Sequence, residues 1–341
     1  MAKKTAPRGR EAGLSQRQGT GIVVRNTGSR MVVRPDEEGP EVPCVVKGNL
    51  RIKGIRTTNP VAVGDHVRFL YPQAPTPGEE GAAVEPTGMI TEILPRRNYI
   101  IRKATNLSKE SHILASNLDL AVLIATLKEP VTTTNFIDRF LATAEAYAIP
   151  AALVLNKMDT WDEEDRELAD AIAYLYRSIG YPVLFVSART GEGIPELLAL
   201  VQHKTTLMAG NSGVGKSSVI NALVPGADLR TGAISEIHHT GQHTTTFSEM
   251  IDVPGGGYLI DIPGVRGFGT IDMAPAEVSH YFPEIFKVSE HCRYGGCTHT
   301  HEPGCAVLQA LDEGRIAQSR YASYLSILED ASTPEKYRKP Y

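Results

Sequence analysis

At 341 residues, 42% of them hydrophobic and 22% charged, the chain is long enough for two or three packed domains and apolar enough to give them cores. Its 35 basic and 39 acidic side chains leave a net charge of −4, which excludes a uniformly basic nucleic-acid binder, so any such surface must be local. No apolar run reaches the about twenty residues that a membrane helix needs. A cytoplasmic protein with no membrane partner is expected.

Residues 1–19 read as a disordered basic tail, because Lys3, Lys4, Arg8, Arg10 and Arg17 come without the apolar core of a secretory signal. Residues 20–105 hold five short β-rich runs, at 22–24, 31–33, 42–46, 66–70 and 89–93. Turns and a Pro/Gly/Glu-rich loop at 72–86 divide them. Five short strands of this kind predict a small barrel of the OB-fold type. Lys47, Arg51, Lys53 and Arg56 form one basic stretch in it, and Arg96, Arg97, Arg102 and Lys103 form another at its end. Each reads equally as an oligonucleotide-binding face or as a solvated strand face. Cys44 reads as a core thiol.

Residues 106–270 read as an α/β unit that opens with a strand at 118–125. Amphipathic helices are predicted at 136–147, 163–179 and 195–203. Ala151-Ala152-Leu153-Val154-Leu155 is apolar at every position, the pattern of a parallel strand buried on both faces. It ends in Asn156-Lys157-Met158-Asp159. A carboxylate at Asp159 can accept from two N–H donors on a guanine edge, a pair that adenine lacks. Asn156 can tie this loop to the phosphate loop and the base, and Lys157 can lie over the ring. A further strand at 182–186 ends in Ser187-Ala188, whose backbone can meet the guanine oxygen.

The strand at 205–209 runs into Gly210-Asn211-Ser212-Gly213-Val214-Gly215-Lys216-Ser217-Ser218 and a helix at 218–223. G-x-x-x-x-G-K-S between a strand and a helix is a phosphate-binding loop. Its glycines turn backbone N–H groups toward phosphate at a helix N-terminus. Lys216 reaches the β- and γ-phosphates, and Ser217 offers a hydroxyl to magnesium. In an ordinary small GTPase this loop comes first and N-K-x-D comes late; here the order is reversed. Joining old ends and opening a surface loop leaves strand packing intact, so the segment reads as a circularly permuted GTPase.

Two segments fit D-x-x-G, Asp252-Val253-Pro254-Gly255 and Asp261-Ile262-Pro263-Gly264. The first ends a half-polar strand at 247–252 and runs into Gly255-Gly256-Gly257, a hairpin signal. The second ends the apolar run Tyr258-Leu259-Ile260, and a nucleotide-sensing loop belongs at the end of a buried strand beside the P-loop. Asp261, as a magnesium ligand, and Gly264 are therefore expected. Gly241-Gln242-His243-Thr244-Thr245-Thr246 falls where a first switch should be, with Thr245 as the further magnesium ligand. Val265 stands after D-x-x-G, where a water-orienting Gln is common. Intrinsic hydrolysis should be slow, with Lys216 and His243 as the expected catalytic residues, the latter on proximity alone.

Residues 271–341 carry Cys292-x4-Cys297-x-His299-x5-Cys305. Three thiols and one imidazole in so short a span suit a closed tetrahedral zinc site. Tyr294-Gly295-Gly296 and Pro303-Gly304 supply tight turns, and His291 and His301 are weaker alternatives to His299. Disulfides are not expected where the only other cysteine is Cys44. One helix is predicted over 306–328, giving a mostly helical zinc-binding domain with a basic end at Lys336, Arg338 and Lys339.

A β-barrel, then N-K-M-D, S-A, G-N-S-G-V-G-K-S, H-T-T-T, D-I-P-G and C-x4-C-x-H-x5-C in that order resembles the bacterial small-ribosomal-subunit biogenesis GTPases, the RsgA (YjeQ) family. The resemblance covers nearly everything after the tail. It implies an OB-fold, GTP hydrolysis stimulated by the small (30S) ribosomal subunit, and a role in late subunit maturation. It also implies that barrel and zinc domain flank the GTPase and grip ribosomal RNA, with His243 matching the family's switch histidine. One structural zinc per chain, magnesium with GTP, GTP and GDP as ligands, and a monomer are expected. The alternative is a GTPase switch acting on another RNA or translation component. The second switch leads straight into the zinc segment. Loss of the γ-phosphate would thus re-aim the C-terminal domain, GTP favouring binding and hydrolysis departure.

Overall fold

The computed structural model describes residues 16–28, 30–47, 60–72, 87–103, 111–229, 248–261 and 273–333. Strands β1 (Gln16–Asn26), β2 (Met31–Pro35), β3 (Val42–Val46), β4 (His66–Pro72) and β5 (Gly88–Ile93) close on themselves in the order β1-β2-β3-β5-β4-β1. β3 and β5 run parallel and the other pairs antiparallel, the five-stranded OB-type barrel expected from the sequence. Side chains alternate in and out with the two-residue period of a strand. Val23, Met31, Val33, Val67, Phe69 and Ile90 fill the barrel around Cys44. Burial pushes the Cys44 thiol up to about 12, as befits an unreactive core thiol. Gly21 sits where β1 crosses β2: a Cβ there would lie 2.4 Å from the Arg34 carbonyl oxygen, so no larger residue fits.

Two strands escaped the sequence reading. β6 (Tyr99–Lys103) and β7 (Ser111–Ser116) pair antiparallel, with a register shift between Ile100 and Ile101. The boundary placed near residue 105 falls between these partners. Asp65, fully buried, ties them to the barrel. It accepts from Arg96 Nε and Nη2 (2.6 Å each), from Ser116 Oγ (2.6 Å) and from the Ala62 N–H (2.8 Å). Arg96 is thus committed inside the protein and belongs to neither a nucleic-acid face nor a solvated one. Arg51, Lys53 and Arg56 lie outside the described residues.

β8 (Leu120–Ala125), β9 (Ala151–Leu155), β10 (Val183–Phe185), β11 (Thr205–Gly210), β12 (Ser248–Asp252) and β13 (Tyr258–Asp261) continue the same sheet beyond β1 as the α/β unit. Their order is β10-β9-β8-β11-β13-β12, all parallel except β12. Every residue of β8 and β9 is buried because helices cover both faces. Leu123 and Leu153 pack with α1 (Thr134–Ala146) and α2 (Glu163–Ile179) through Phe140, Leu141 and Tyr176. Val122, Ile124 and Val154 pack with α3 (Ile194–Val201) and α4 (Lys216–Leu223) through Leu197, Val219 and Ile220. α2 has the bounds its sequence signals dictate: an Asp162–Asp165 capping box, three acidic residues in the first turn, and Gly180 at φ +113° after its end.

The C-terminal part holds a 3₁₀ segment (Pro275–Tyr281), α5 (Pro283–Ser289), α6 (Ala306–Asp312) and α7 (Gln318–Ser332). The single helix expected over 306–328 is thus two. Gly314, at φ +70°, takes the left-handed conformation after α6, and the Arg315 and Ile316 N–H groups turn back to the Ala310 carbonyl at 2.8 and 3.2 Å. The break lets α7 fold against α1. There Arg320, 1% exposed, donates to Glu284 through Nε (2.6 Å) and Nη2 (3.0 Å) and to Asp138 of α1 through Nη1 (2.8 Å). Asp138 also accepts from Tyr176 Oη at 2.7 Å, and the Phe282 ring lies 4.5 Å beneath the guanidinium.

Candidate nucleotide and metal sites

β11 ends in Gly210, and the chain turns through Asn211, Ser212, Gly213, Val214 and Gly215 before α4 begins at Lys216. Gly213 and Gly215 both sit at φ +87°, which costs other residues about 1–2 kcal/mol. Close approach adds a second demand: a Cβ on Gly215 would lie 2.5 Å from Asn156 Nδ2, and one on Gly210 would lie 2.8 Å from the Ile124 carbonyl oxygen. Among the described residues no side chain caps α4 at its N-cap, Gly215, and a helix N-terminus of this kind suits an anion.

The N-K-M-D loop meets this turn from the end of β9. Asn156, 2% exposed, donates from Nδ2 to the Val214 carbonyl (2.8 Å) and accepts the Ala188 N–H on Oδ1 (3.2 Å). One amide thereby joins three loops that are far apart in sequence. Lys157, in the left-handed region at φ +69°, donates to the Glu129 carbonyl. Met158 opens a one-turn 3₁₀ helix that contains Asp159. Ser187 Oγ donates to Asp159 Oδ1 at 2.5 Å, and Arg189 Nη2 lies 2.6 Å from Oδ2. The Ser187 hydrogen bond, and next the Arg189 charge, outweigh burial and hold the Asp159 carboxyl below the usual range. Arg189 was not singled out from sequence, although it directly follows Ser187-Ala188.

β13 runs parallel to β11 and brings Asp261 opposite Met208, two residues before Gly210. There the Asp261 carboxylate contacts Lys216 Nζ. Burial pulls the Lys216 ammonium down to about 8. Asp252, the other D-x-x-G aspartate, lies at the far end of the β12–β13 hairpin opposite Tyr258. Arg34 of the barrel grips both its oxygens, at 2.6 and 3.0 Å. His243, Thr245, Gly264 and Val265 lie outside the described residues.

The second constellation stands between α5 and α6. The ligand atoms of Cys292, Cys297, His299 and Cys305 all lie within 4.8 Å of one another. Cys292 Sγ is 3.6 Å from His299 Nδ1 and 3.9 Å from Cys305 Sγ, and Cys305 Sγ is 3.5 Å from His299 Nδ1. Ligands about 2.0–2.3 Å from a central ion stand about 3.3–3.8 Å apart on a tetrahedron. The donor set therefore suits a tetrahedral metal ion such as zinc. Tyr321 and Tyr324 of α7 hold the knuckle by donating to the His299 and Thr298 carbonyls, both at 2.7 Å. Burial would raise the Glu302 carboxyl, but hydrogen bonds from Thr298 Oγ1 and from the Thr298 and His301 N–H groups hold it far below its usual range. His301 Nδ1 is engaged with the Thr300 hydroxyl at 2.8 Å.

A P-loop sheet in which N-K-M-D and S-A precede the P-loop, attached to an OB-type barrel and a Cys3His unit, defines the class of circularly permuted GTPases. The family model for the RsgA GTPase matches residues 93–271. The small ribosomal subunit biogenesis GTPase RsgA of Porphyromonas gingivalis is 60% identical over 94% of this chain and 99% of that protein. The protein of the same name from Bacteroides fragilis is 53% identical over equal shares. The crystal structure of YjeQ from Thermotoga maritima superposes with a TM-score of 0.72 at 34% identity, covering 93% of this chain and all of that one. YloQ, a circularly permuted GTPase, superposes at 0.68 with 28% identity over 98% of this chain and all of that one. The chain belongs to the RsgA GTPase family.

Proposed function

We propose that the chain binds and hydrolyses GTP as a late maturation factor of the small (30S) ribosomal subunit. The observation that carries the enzymatic part is the Asn156 amide, which joins the P-loop to the loops holding Asp159 and Ala188, so base and phosphate sites form one unit. In this reading Asp159 accepts from the guanine edge, Ala188 meets its oxygen, Lys157 lies along the ring, and residues 210–218 enclose the phosphates. Lys216 exchanges Asp261 for the β- and γ-phosphates. Ser217, Thr245 and Asp261 would hold magnesium, which when bound neutralises charge across the phosphates. Gly264 follows as the second-switch glycine. Val265 has no group that can orient water, so His243 supplies that function when the subunit orders its loop. Cys292, Cys297, His299 and Cys305 would hold one structural zinc per chain.

The subunit role follows from the relatives named as small ribosomal subunit biogenesis GTPases. A cytoplasmic monomer that touches ribosomal RNA belongs to the same proposal; no helix among the described residues is long and apolar enough to cross a membrane. The test is GTP turnover alone, with small subunits, and with large subunits. Small subunits should accelerate the slow basal rate about a thousandfold or more, by analogy with a supplied catalytic group. His243→Ala should keep GTP and subunit binding and lose the acceleration. Equal stimulation by both subunits would refute the assignment, and full stimulation of His243→Ala would make the histidine a bystander.

A further inference from the structure

Both oxygens of Asp159 have partners within the protein. Oδ1 accepts from Ser187 and Oδ2 faces Arg189, so the side chain is only 9% exposed. The two partners differ in kind. Ser187 is buried, its Oγ also accepts the Thr190 N–H at 3.1 Å, and it can stay in place while a carboxylate oxygen accepts a second donor. Arg189 is 75% exposed, and among the described residues only Asp159 holds its guanidinium. It is free to leave.

We propose that Arg189 competes with the guanine edge for Asp159. Its guanidinium N–H occupies the donor position that a guanine N–H takes, and it swings into solvent when the base arrives. The inference rests on the reading of Asp159 as the base-recognising carboxylate. The phosphate end has a similar pair, Lys216 with Asp261, whose members the proposed reading gives to phosphate and to metal. An internal cation at each end neutralises the carboxylate beside it. It also makes apparent affinity equal to intrinsic affinity multiplied by the fraction of molecules in which the site is uncovered.

An Arg–carboxylate pair whose guanidinium stands in solvent reduces that fraction by about two- to fivefold. Arg189→Ala should therefore tighten GDP and GTP by about two- to fivefold at low salt. The gain should lie in the association rate, with the dissociation rate unchanged, because Arg189 no longer touches Asp159 once nucleotide is bound. It should shrink as salt rises, since salt already weakens the pair in the wild type. Equilibrium and stopped-flow binding of a fluorescent GDP to the full chain measure both rates, in wild type, Arg189→Ala, Asp159→Asn and the double variant. Asp159→Asn should lose guanine affinity and gain xanthosine diphosphate, and adding Arg189→Ala to it should change nothing. Unchanged affinity in Arg189→Ala overturns the proposal. Faster GDP dissociation in that variant also overturns it, and assigns Arg189 to stacking on the bound base. If Asp159→Asn keeps its full GDP affinity, the reading of Asp159 itself fails, whatever Arg189→Ala does.

Discussion

Arg320→Met should detach the C-terminal helices from the GTPase sheet while leaving the metal knuckle chemically intact. The side chain is 1% exposed and bridges Glu284 of α5 and Asp138 of α1, which are themselves 15% and 0% exposed. Met fills much of the volume but strands two carboxylates. Removing one partner of a buried pair costs about 3–5 kcal/mol. Loss of the contact over Phe282 adds about 0.5–2 kcal/mol. Asp138 Oδ2 has no hydrogen-bond partner among the described residues, so nothing there offsets the loss. The two together, about 3.5–7 kcal/mol, are large against the about 5–15 kcal/mol of a typical domain. Urea unfolding followed by far-UV circular dichroism, with fluorescent nucleotide as a second probe, should show an early transition while nucleotide is still bound. The triple variant Arg320→Met, Asp138→Asn, Glu284→Gln should recover about half, because the cost lies in stranded charge rather than in lost volume. A single variant within about 1 kcal/mol of wild type, or a triple variant no better than the single, would refute this account.

Two further outcomes follow from the sites. Gly215→Ala should abolish tight nucleotide binding with only a small drop in melting temperature: the new Cβ would stand 2.5 Å from Asn156 Nδ2 at a φ of +87°, and parting those atoms breaks the Asn156–Val214 bond; equilibrium nucleotide binding beside a thermal melt checks it, and wild-type affinity would sink it. Cys297→Ala, or chelation, should unfold residues 273–333 while sparing nucleotide binding, since structural zinc contributes on the order of 10 kcal/mol in small metal-dependent units; absence of zinc by elemental analysis of the purified protein would contradict it.

Local signals carried much of this fold. β9 has the expected bounds because five apolar residues in a row, closed by N-K-M-D, fit only a strand covered on both faces. The α6–α7 break was also written locally, in Gly314, but the apolar spacing on either side of it hid the stop. β6 and β7 were missed because their polar ends, Arg102-Lys103 and Ser111-His112, blur the alternation. What sequence could not offer is partnership at a distance. Arg96 looked like a surface cation until Asp65 stood beside it, and Arg320 meets Asp138 across 182 positions. A side chain's type is local information, whereas its partner depends on how the chain returns to it.

The same return of the chain explains how the GTPase sheet is used. β12 is its edge strand, and an unpaired edge invites pairing with another chain. Here the barrel covers it: Arg25 and Asn26 of β1 pair with Glu249 and Ser248. The ladder is only two residues long, but charge clamps both ends of β12, Arg25 on Glu249 and Arg34 on Asp252. Asp252 thus has a use that its D-x-x-G context does not suggest, as an anchor for the barrel. The hairpin of β12 and β13 runs between the two segments expected to sense the γ-phosphate, and it is bonded to the barrel at one edge and to the P-loop strand at the other. α1, which follows β8 in the same sheet, carries the C-terminal helices through Asp138. The nucleotide sheet is thus bonded to the barrel through β12 and to the C-terminal helices through α1. With the strands in this chain order, the barrel precedes the nucleotide sheet and the metal-binding unit follows it, and each meets the sheet on a different element.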